Sequence, residues 1–216
     1  MHLVLSRVQE DDFDELLEVQ FRAFADADLI VALLGRNTPE TRALTKEKFI
    51  KDMKEDSADC WMKLVDTATG RIVSAAQWKI YPSWAPLADH GDFEPNWLEG
   101  KDRETAEDMV TRFMTIRAGH MYGHSHVLLY ILFTDPNFQR CGAGSIHVKW
   151  GTELADRLLV PCWVEGSAAG HHLYEENGFK DVQHVNEKFG NWSMEYTVMR
   201  RESKTQQEAG RSIVFT

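Results

Sequence analysis

The segment from Val127 to Ser145 decides the fold, and it has the sequence VLLYILFTDPNFQRCGAGS. Its first eight residues, as far as Thr134, are almost wholly apolar, which predicts a central β-strand buried on both faces. After a short turn, Gly142 and Gly144 open a predicted helix that runs to Leu159. Glycines let backbone N–H groups approach a ligand closely, and the first turn of a helix leaves its N–H groups unpaired. The segment therefore predicts a strand–turn–helix unit that can bind a pyrophosphate.

Three kinds of phosphate-binding turn can be compared with this segment. A dinucleotide-binding fingerprint needs a third glycine at the position of His147. A P-loop needs a lysine directly after its last glycine, where this chain has Ser145. The pattern that fits is Gln-x-x-Gly-x-Gly, from Gln139 to Gly144. Because this pattern is short, a helix that starts with two incidental glycines is the alternative on this segment alone.

A second motif follows about thirty residues later, after one more predicted strand from Pro161 to Glu165. It reads LYEENGF from Leu173 to Phe179, at the end of a predicted helix over Ser167 to Asn177. With both motifs in this order, the chain resembles the GNAT superfamily of N-acetyltransferases, whose signature pairs Q/R-x-x-G-x-G/A with L-Y-x-x-x-G-F. The resemblance covers Leu3 to about Met199. It implies an α/β fold with a mixed, mostly antiparallel central sheet, a splayed central strand pair and helices on both faces.

The remaining elements follow from hydrophobic periodicity and turn residues. Further strands are predicted at Leu3 to Val8, Cys60 to Val65, Arg71 to Ile80, Val182 to Val185 and Ser193 to Met199. Further helices are predicted from Asp12 to Phe24, Pro39 to Met53 and Asp102 to Met121. We therefore predict one domain over 1–200, with a long loop rich in Pro and Trp over 81–100. That loop is either a lid or a surface insertion. The polar tail over 201–216 is expected to be poorly ordered.

The resemblance also implies where an acyl donor binds. It assigns acetyl-CoA as the donor, without a metal, and places its pantetheine arm along the central strand against the backbone of Leu132, Phe133 and Thr134. An N–H near Leu132 then polarises the thioester carbonyl. The further cofactor contacts that the resemblance implies are Gln139, Arg140, Cys141, Gly142, Ala143, Gly144, Ser145, Ser167 and Tyr174.

Tyr174 matches the tyrosine that, in this family, can donate a proton to the leaving thiolate as a general acid. The alternative is a packing or cofactor-contacting residue. Family members often carry the general base on the central strand, where this chain has Leu128 and Tyr130. Leu128 cannot serve, and Tyr130 is predicted to line the site although a tyrosine is a poor base near neutral pH. The other candidates are His120, His124 and His126, a relay of waters, or an amine that enters already neutral.

Composition limits the partners. The net charge of −10 over 216 residues disfavours nucleic acid as the main partner. Three widely spaced cysteines predict free thiols, and neither a secretion signal nor a membrane-spanning run is evident. We therefore expect a cytoplasmic protein that binds a small-molecule amine, with a homodimer left open. Acidic residues predominate from Asp89 to Asp108 and hint at a cationic or aromatic amine, as do the aromatic residues Trp78, Tyr81, Trp84, Phe93 and Trp97. A protein-lysine or N-terminal acetyltransferase, and a non-catalytic acyl-CoA sensor, are the alternatives.

Overall fold

The computed structural model describes residues 2–24, 27–87 and 93–212, and its strands form one sheet of seven in the order β1-β2-β3-β4-β5-β7-β6. The strands are β1 Leu3–Arg7, β2 Asp59–Asp66, β3 Arg71–Tyr81, β4 His126–Thr134, β5 Cys162–Gly166, β6 Lys180–Phe189 and β7 Trp192–Arg201. Neighbouring strands are antiparallel except β4 and β5, which are parallel. The predicted fold class, a mixed and mostly antiparallel sheet between helices, is confirmed.

Seven α-helices are present in the described ranges. They are α1 Phe13–Ala23, α2 Asp28–Leu34, α3 Pro39–Glu55, α4 Gly100–Met121, α5 Ala143–Leu158, α6 Ala168–Glu176 and α7 Lys204–Ser212. Helices α1 to α4 pack on one face of the sheet, the α1–α4 face, and α5 and α6 cover the other, the α5–α6 face. None of the helices in these ranges is both long and apolar enough to cross a membrane.

Local sequence explains the elements that position the site. In β4, Val127, Leu128, Leu129 and Phe133 are at most 3% exposed, as the apolar run predicts for a central strand. Helix α5 approaches the sheet closely because Gly151 has no side chain: a Cβ there would overlap the indole of Trp78. This close contact holds the middle of α5 against β3.

Two helices were not predicted from sequence. Helix α2 lies in a segment for which no element was predicted. Helix α7 replaces the poorly ordered tail expected after residue 200, so that expectation is wrong as far as Ser212. Ser203 and Gln206 form a reciprocal cap, with the Ser203 N–H donating to Gln206 Oε1 at 2.9 Å, and the Lys204 N–H donates to Asp156 Oδ1 at 2.9 Å. Such capping stabilises a helix whose residues are nearly all polar.

The predicted long loop is shorter at both ends, because β3 continues to Tyr81 and α4 begins at Gly100. The end of the loop that precedes α4 packs against the domain: Leu98 is 9% exposed, and Trp97 Nε1 donates to the Val31 carbonyl at 3.1 Å. Residues 88–92 lie outside the described residues. A role as a lid therefore stays a prediction.

Candidate active site

Strands β4 and β5 pair over only part of their length. The partners are Val127 with Cys162, Leu128 with Trp163 and Leu129 with Val164. Because β4 continues to Thr134 and β5 to Gly166, the two strands diverge after Leu129. We call the opening between them the β4–β5 gap. It corresponds to the predicted splayed pair.

The backbone of β4 alternates between β3 and this gap. Asp135 donates its N–H to the backbone of β3 at 2.8 Å, and the Phe133 carbonyl accepts from Ser74 Oγ at 2.6 Å, so Phe133 turns its backbone towards β3. In an antiparallel ladder, the residues on either side turn theirs the opposite way. Leu132 and Thr134 therefore present their N–H and C=O groups to the gap. Of the three predicted pantetheine contacts, the one at Phe133 is disfavoured by this geometry.

A β-bulge lies where the strands separate. Gln77 pairs with Ile131 and Trp78 with Leu129, so Tyr130 is an extra residue in the register. Bulges are frequent beside active sites because they re-aim a side chain. Here the Tyr130 side chain packs on the α1–α4 face. Tyr130 directly follows Leu129, the last paired residue of β4, so it lies at the narrow, inner end of the gap.

The turn after β4 places open N–H groups at the wide end of the gap. Gly142 caps α5 with φ +87°, and Arg140 has φ +61°, a conformation that a residue with a Cβ rarely adopts. Left-handed residues in a turn direct successive N–H groups into an anion-binding concavity, and the N-terminus of α5 adds unpaired N–H groups. A Cβ on Gly142 would meet no atom within 4 Å, so the space in front of the turn is open.

Hydrogen bonds at the start of the glycine turn fix its position. Asp135, which is 4% exposed, accepts from the Asn137 N–H at 2.9 Å and from Arg22 Nη2 at 2.6 Å. Burial alone would raise the pKa of Asp135, but these donors outweigh it and hold the pKa below its ordinary value. The Cys141 thiol donates to the Phe138 carbonyl at 2.6 Å, which leaves the backbone as the part of Cys141 free to bind a ligand.

The predicted cofactor residues differ in exposure but share one edge of the domain. In the turn, Gln139, Arg140 and Gly142 are exposed, Cys141, Gly144 and Ser145 are half-buried, and Ala143 is buried. Ser167 is exposed at the N-terminus of α6. Within the described ranges, no group of three or more His, Cys, Asp or Glu side chains is placed to hold a metal ion.

Tyr174 approaches from α6, on the α5–α6 face. A Cβ on Gly166 would stand 2.9 Å from its ring and one on Gly170 3.0 Å from it, so these two glycines form the slot for the ring. Burial raises the pKa of the Tyr174 phenol well above its ordinary value. The phenol is therefore protonated at neutral pH, which is the form that can donate a proton. None of the described residues forms a hydrogen bond with its hydroxyl.

A cavity of about 390 Å³ lies on the opposite, α1–α4 face, between α3, β3, α4 and β4; we call it the Tyr130 cavity. Met114, Met121 and Leu128 form part of its apolar wall. Large apolar side chains surround its mouth: Leu87 is 54% and Tyr122 49% exposed, and Trp84, which touches Tyr122, is 56% exposed.

The charged part of the wall begins with Lys79. Its Nζ lies 2.7 Å from Asp56 Oδ2 and 2.8 Å from Asp59 Oδ1, and 5.7 Å from the centre of the Tyr130 ring. Burial alone would lower the pKa of Lys79, but the two carboxylates outweigh it and raise the pKa above its ordinary value. Burial raises the pKa of Asp59. Lys79 is therefore a fixed cation beside Tyr130.

Arg117 and Glu165 form a buried ion pair next to the same ring. Arg117 Nε lies 2.7 Å from Glu165 Oε1 and Nη2 lies 3.0 Å from Oε2, with side chains 12% and 6% exposed. The guanidinium lies 4.6 Å from the centre of the Tyr130 ring. Sequence analysis missed Glu165 because it considered carboxylates on the central strand and not on the neighbouring one. A glutamate inside the apolar run Cys-Trp-Val-Glu-Gly was the available signal.

The three candidate histidines lie in two different places. His126 lines the Tyr130 cavity. His120 and His124 instead line a second cavity of about 440 Å³ near the start of β5, beside Trp163. His120 Nε2 is also 2.8 Å from Gln183 Oε1. The geometry therefore disfavours His120 and His124 as bases and keeps His126.

Comparison with known proteins supports this fold. No family model and no curated protein matches the sequence. Among solved structures, a histone acetyltransferase HPA2 and related acetyltransferase from Corynebacterium glutamicum is 17% identical, covering 94% of this chain and 97% of that one with a TM-score of 0.63. Arylalkylamine N-acetyltransferase 2 from Aedes aegypti is 13% identical, covering 94% and 99% with a TM-score of 0.63. The phosphinothricin acetyltransferase from Sinorhizobium meliloti, in complex with AcCoA, is 13% identical, covering 94% and 89% with a TM-score of 0.56. The chain has the fold of the GNAT acetyltransferases.

Proposed function

We propose that this protein transfers an acetyl group from acetyl-CoA to an amine of a small molecule, by direct attack of the amine on the thioester. The observation that carries the proposal is the β4–β5 gap, which has a glycine turn at its wide end and a buried tyrosine on its wall. A slot with this order of groups suits a long thioester donor that ends in a pyrophosphate.

The donor side of the proposal uses backbone groups. Leu132 and Thr134 would hold the pantetheine arm, and the N–H groups from Arg140 to Ser145 would hold the pyrophosphate. The open space in front of Gly142 fits such a group. Acetyl-CoA supplies the activated acyl group, and Tyr174 would protonate the departing sulfur.

The acceptor side uses the Tyr130 cavity. Its volume of about 390 Å³ suits a small molecule, and the apolar mouth formed with Leu87 and Tyr122 suits an amine on an apolar or aromatic body. Neighbouring folds carry names such as arylalkylamine N-acetyltransferase and spermidine N-acetyltransferase, which are consistent with amine acceptors. The three free cysteines are consistent with a cytoplasmic location, which is part of the proposal.

Calorimetric titration with acetyl-CoA, with NAD and ATP as controls, tests the donor site. We expect micromolar binding of acetyl-CoA alone, weakened about tenfold or more in Gly142→Ala because the left-handed turn no longer fits the pyrophosphate. Gly190→Ala is the matched control: Gly190 also has positive φ, +61°, and open space around its Cβ, but it lies in the β6–β7 turn. A free-thiol assay over arylalkylamines, polyamines and peptides then tests turnover. Folded wild-type protein that binds no acetyl-CoA would contradict the proposal.

A further inference from the structure

His126 lies at the start of β4 and lines the Tyr130 cavity, although it is only 1% exposed. Its ring is 5.0 Å from that of Tyr81. Side chains alternate along a strand, so His126, Leu128 and Tyr130 lie on the same face. Four residues at about 3.3 Å each separate the Cα atoms of His126 and Tyr130 by about 13 Å. The cavity wall thus joins the imidazole to the inner end of the gap.

The tautomer of His126 follows from its hydrogen bond. Nδ1 lies 2.8 Å from the carbonyl oxygen of His124. A carbonyl oxygen can only accept a hydrogen bond, so Nδ1 carries the proton. In a neutral imidazole, Nε2 then keeps a free lone pair. The ring therefore has its acceptor nitrogen available to the cavity.

The surroundings keep this imidazole neutral. Burial lowers the pKa of His126 below 6.5, and the positive charge of Arg117 acts in the same direction. The hydrogen bond to His124 and the carboxylate of Glu165 raise the pKa without reversing that shift. Titratable groups face it from every element around the cavity: Lys48 and Asp52 of α3, Asp56 directly after α3, Lys79 and Tyr81 of β3, Arg117 of α4, His124, Tyr130 of β4 and Glu165 of β5.

The other candidate bases on the cavity wall are engaged or unsuitable. Asp52 is 2.6 Å from Lys48, and Asp56 is 2.7 Å from Lys79. Phenols are poor bases near neutral pH, and burial raises the pKa of Tyr81 further. Among the described residues that line the cavity, His126 is thus the side chain that combines a free lone pair with a suitable charge state.

We propose that His126 Nε2 is the proton acceptor for the incoming amine, reached through water in the Tyr130 cavity. This inference rests on the proposed acetyl transfer. A cavity of about 390 Å³ is far larger than the space that a single water needs, so it has room for a chain of waters that spans this distance.

The proton balance is complete. The ammonium form of the substrate gives one proton through the water chain to His126, which becomes an imidazolium. The neutral amine forms the C–N bond to the acetyl carbon, and the C–S bond breaks. The sulfur takes the proton of Tyr174, whose phenolate regains one from the nitrogen of the new amide. The imidazolium finally returns its proton to solvent.

The test compares His126→Asn with the wild type between pH 5.5 and 9.5, using an amine that the wild type acetylates. Asparagine can still donate to the His124 carbonyl but cannot take up a proton. We expect kcat at pH 7 to fall about a hundredfold and to rise steeply with pH. We expect added imidazole to restore part of the rate. The Kd for acetyl-CoA, measured by calorimetry, should stay within about twofold.

His124→Gln is the matched control, because His124 is exposed and lines the other cavity. It should keep the wild-type rate and pH profile. If His126→Asn does not fold, His126→Gln replaces it. An equal loss of rate at every pH, without rescue by imidazole, would overturn the inference, as would an unchanged rate. A wild type that binds acetyl-CoA but acetylates no amine would instead contradict the proposed function.

Discussion

The two faces of the sheet at Tyr130 use different chemistry. On the α5–α6 face, the gap is bordered by backbone N–H groups, by glycines and by the buried phenol of Tyr174. On the α1–α4 face, the cavity wall carries the cations Lys79 and Arg117, which pair with the carboxylates of Asp59 and Glu165. A site that binds its ligand through backbone N–H groups needs only a few residue types at fixed spacing, so a short sequence motif predicts it. A wall of paired charges needs partners from several elements, so no short motif predicts it.

The largest effect is expected from Tyr174→Phe, which removes the proposed acid from the α5–α6 side. We expect kcat to fall about 10²- to 10⁴-fold while the affinity for acetyl-CoA changes little, because the ring that packs against Gly166 and Gly170 is kept. Steady-state kinetics and calorimetry measure the two quantities. Tyr196→Phe is the control: Tyr196 is also buried without a hydrogen-bond partner, but it lies under α4. A wild-type kcat in the Tyr174→Phe variant would contradict the proposal that Tyr174 is the general acid.

The next largest effect is expected from Glu165→Gln on the charged side. The change leaves Arg117 buried without its counter-ion, which typically costs about 3–5 kcal/mol in the free energy of unfolding. Urea denaturation measures that loss. The surface pair of Arg112 and Glu187 has the same two-pronged geometry, so Glu187→Gln is the control and should change stability little. Equal stability of Glu165→Gln and wild type would mean that Arg117 reaches water in solution.

The smallest effect is expected on the pH dependence of the free energy of unfolding. His147 belongs to α5 and is fully buried, and burial lowers its pKa to about 3. An unfolded histidine takes up a proton below about 6.5, whereas the folded one does so only near 3. The free energy of unfolding should therefore fall by about 1.4 kcal/mol per pH unit as the pH falls from about 6.5 to about 3.

The variant His147→Leu should remove this contribution, so its stability should fall less than that of the wild type between pH 7 and 5. Denaturation at several pH values measures the slope. His172→Leu on the exposed surface is the control. An unchanged slope in His147→Leu would assign the acid sensitivity to other groups, of which His126 is the next to test.

Sequence analysis was most successful where function depends on the backbone. The apolar run before Asp135 predicted β4, and Gly142 predicted the start of α5, where the structure gives it a positive φ. It failed for α7, because the residues of that helix are nearly all polar and its start depends on the cap formed by Ser203 and Gln206. It predicted only part of the hairpin of β6 and β7, since strand ends depend on pairing with a neighbour.

What the sequence by itself determined is the strand, the glycine turn and the position of Tyr174, because a buried strand and a positive φ restrict residue type locally. Only the tertiary structure decided the acceptor side. Arg117 and Glu165 are 48 residues apart and meet because α4 packs across β5 where it leaves β4. The tautomer of His126 likewise depends on a backbone carbonyl whose direction follows from the fold. Contacts of this kind depend on how helices and strands pack together, and local residue patterns do not predict that packing.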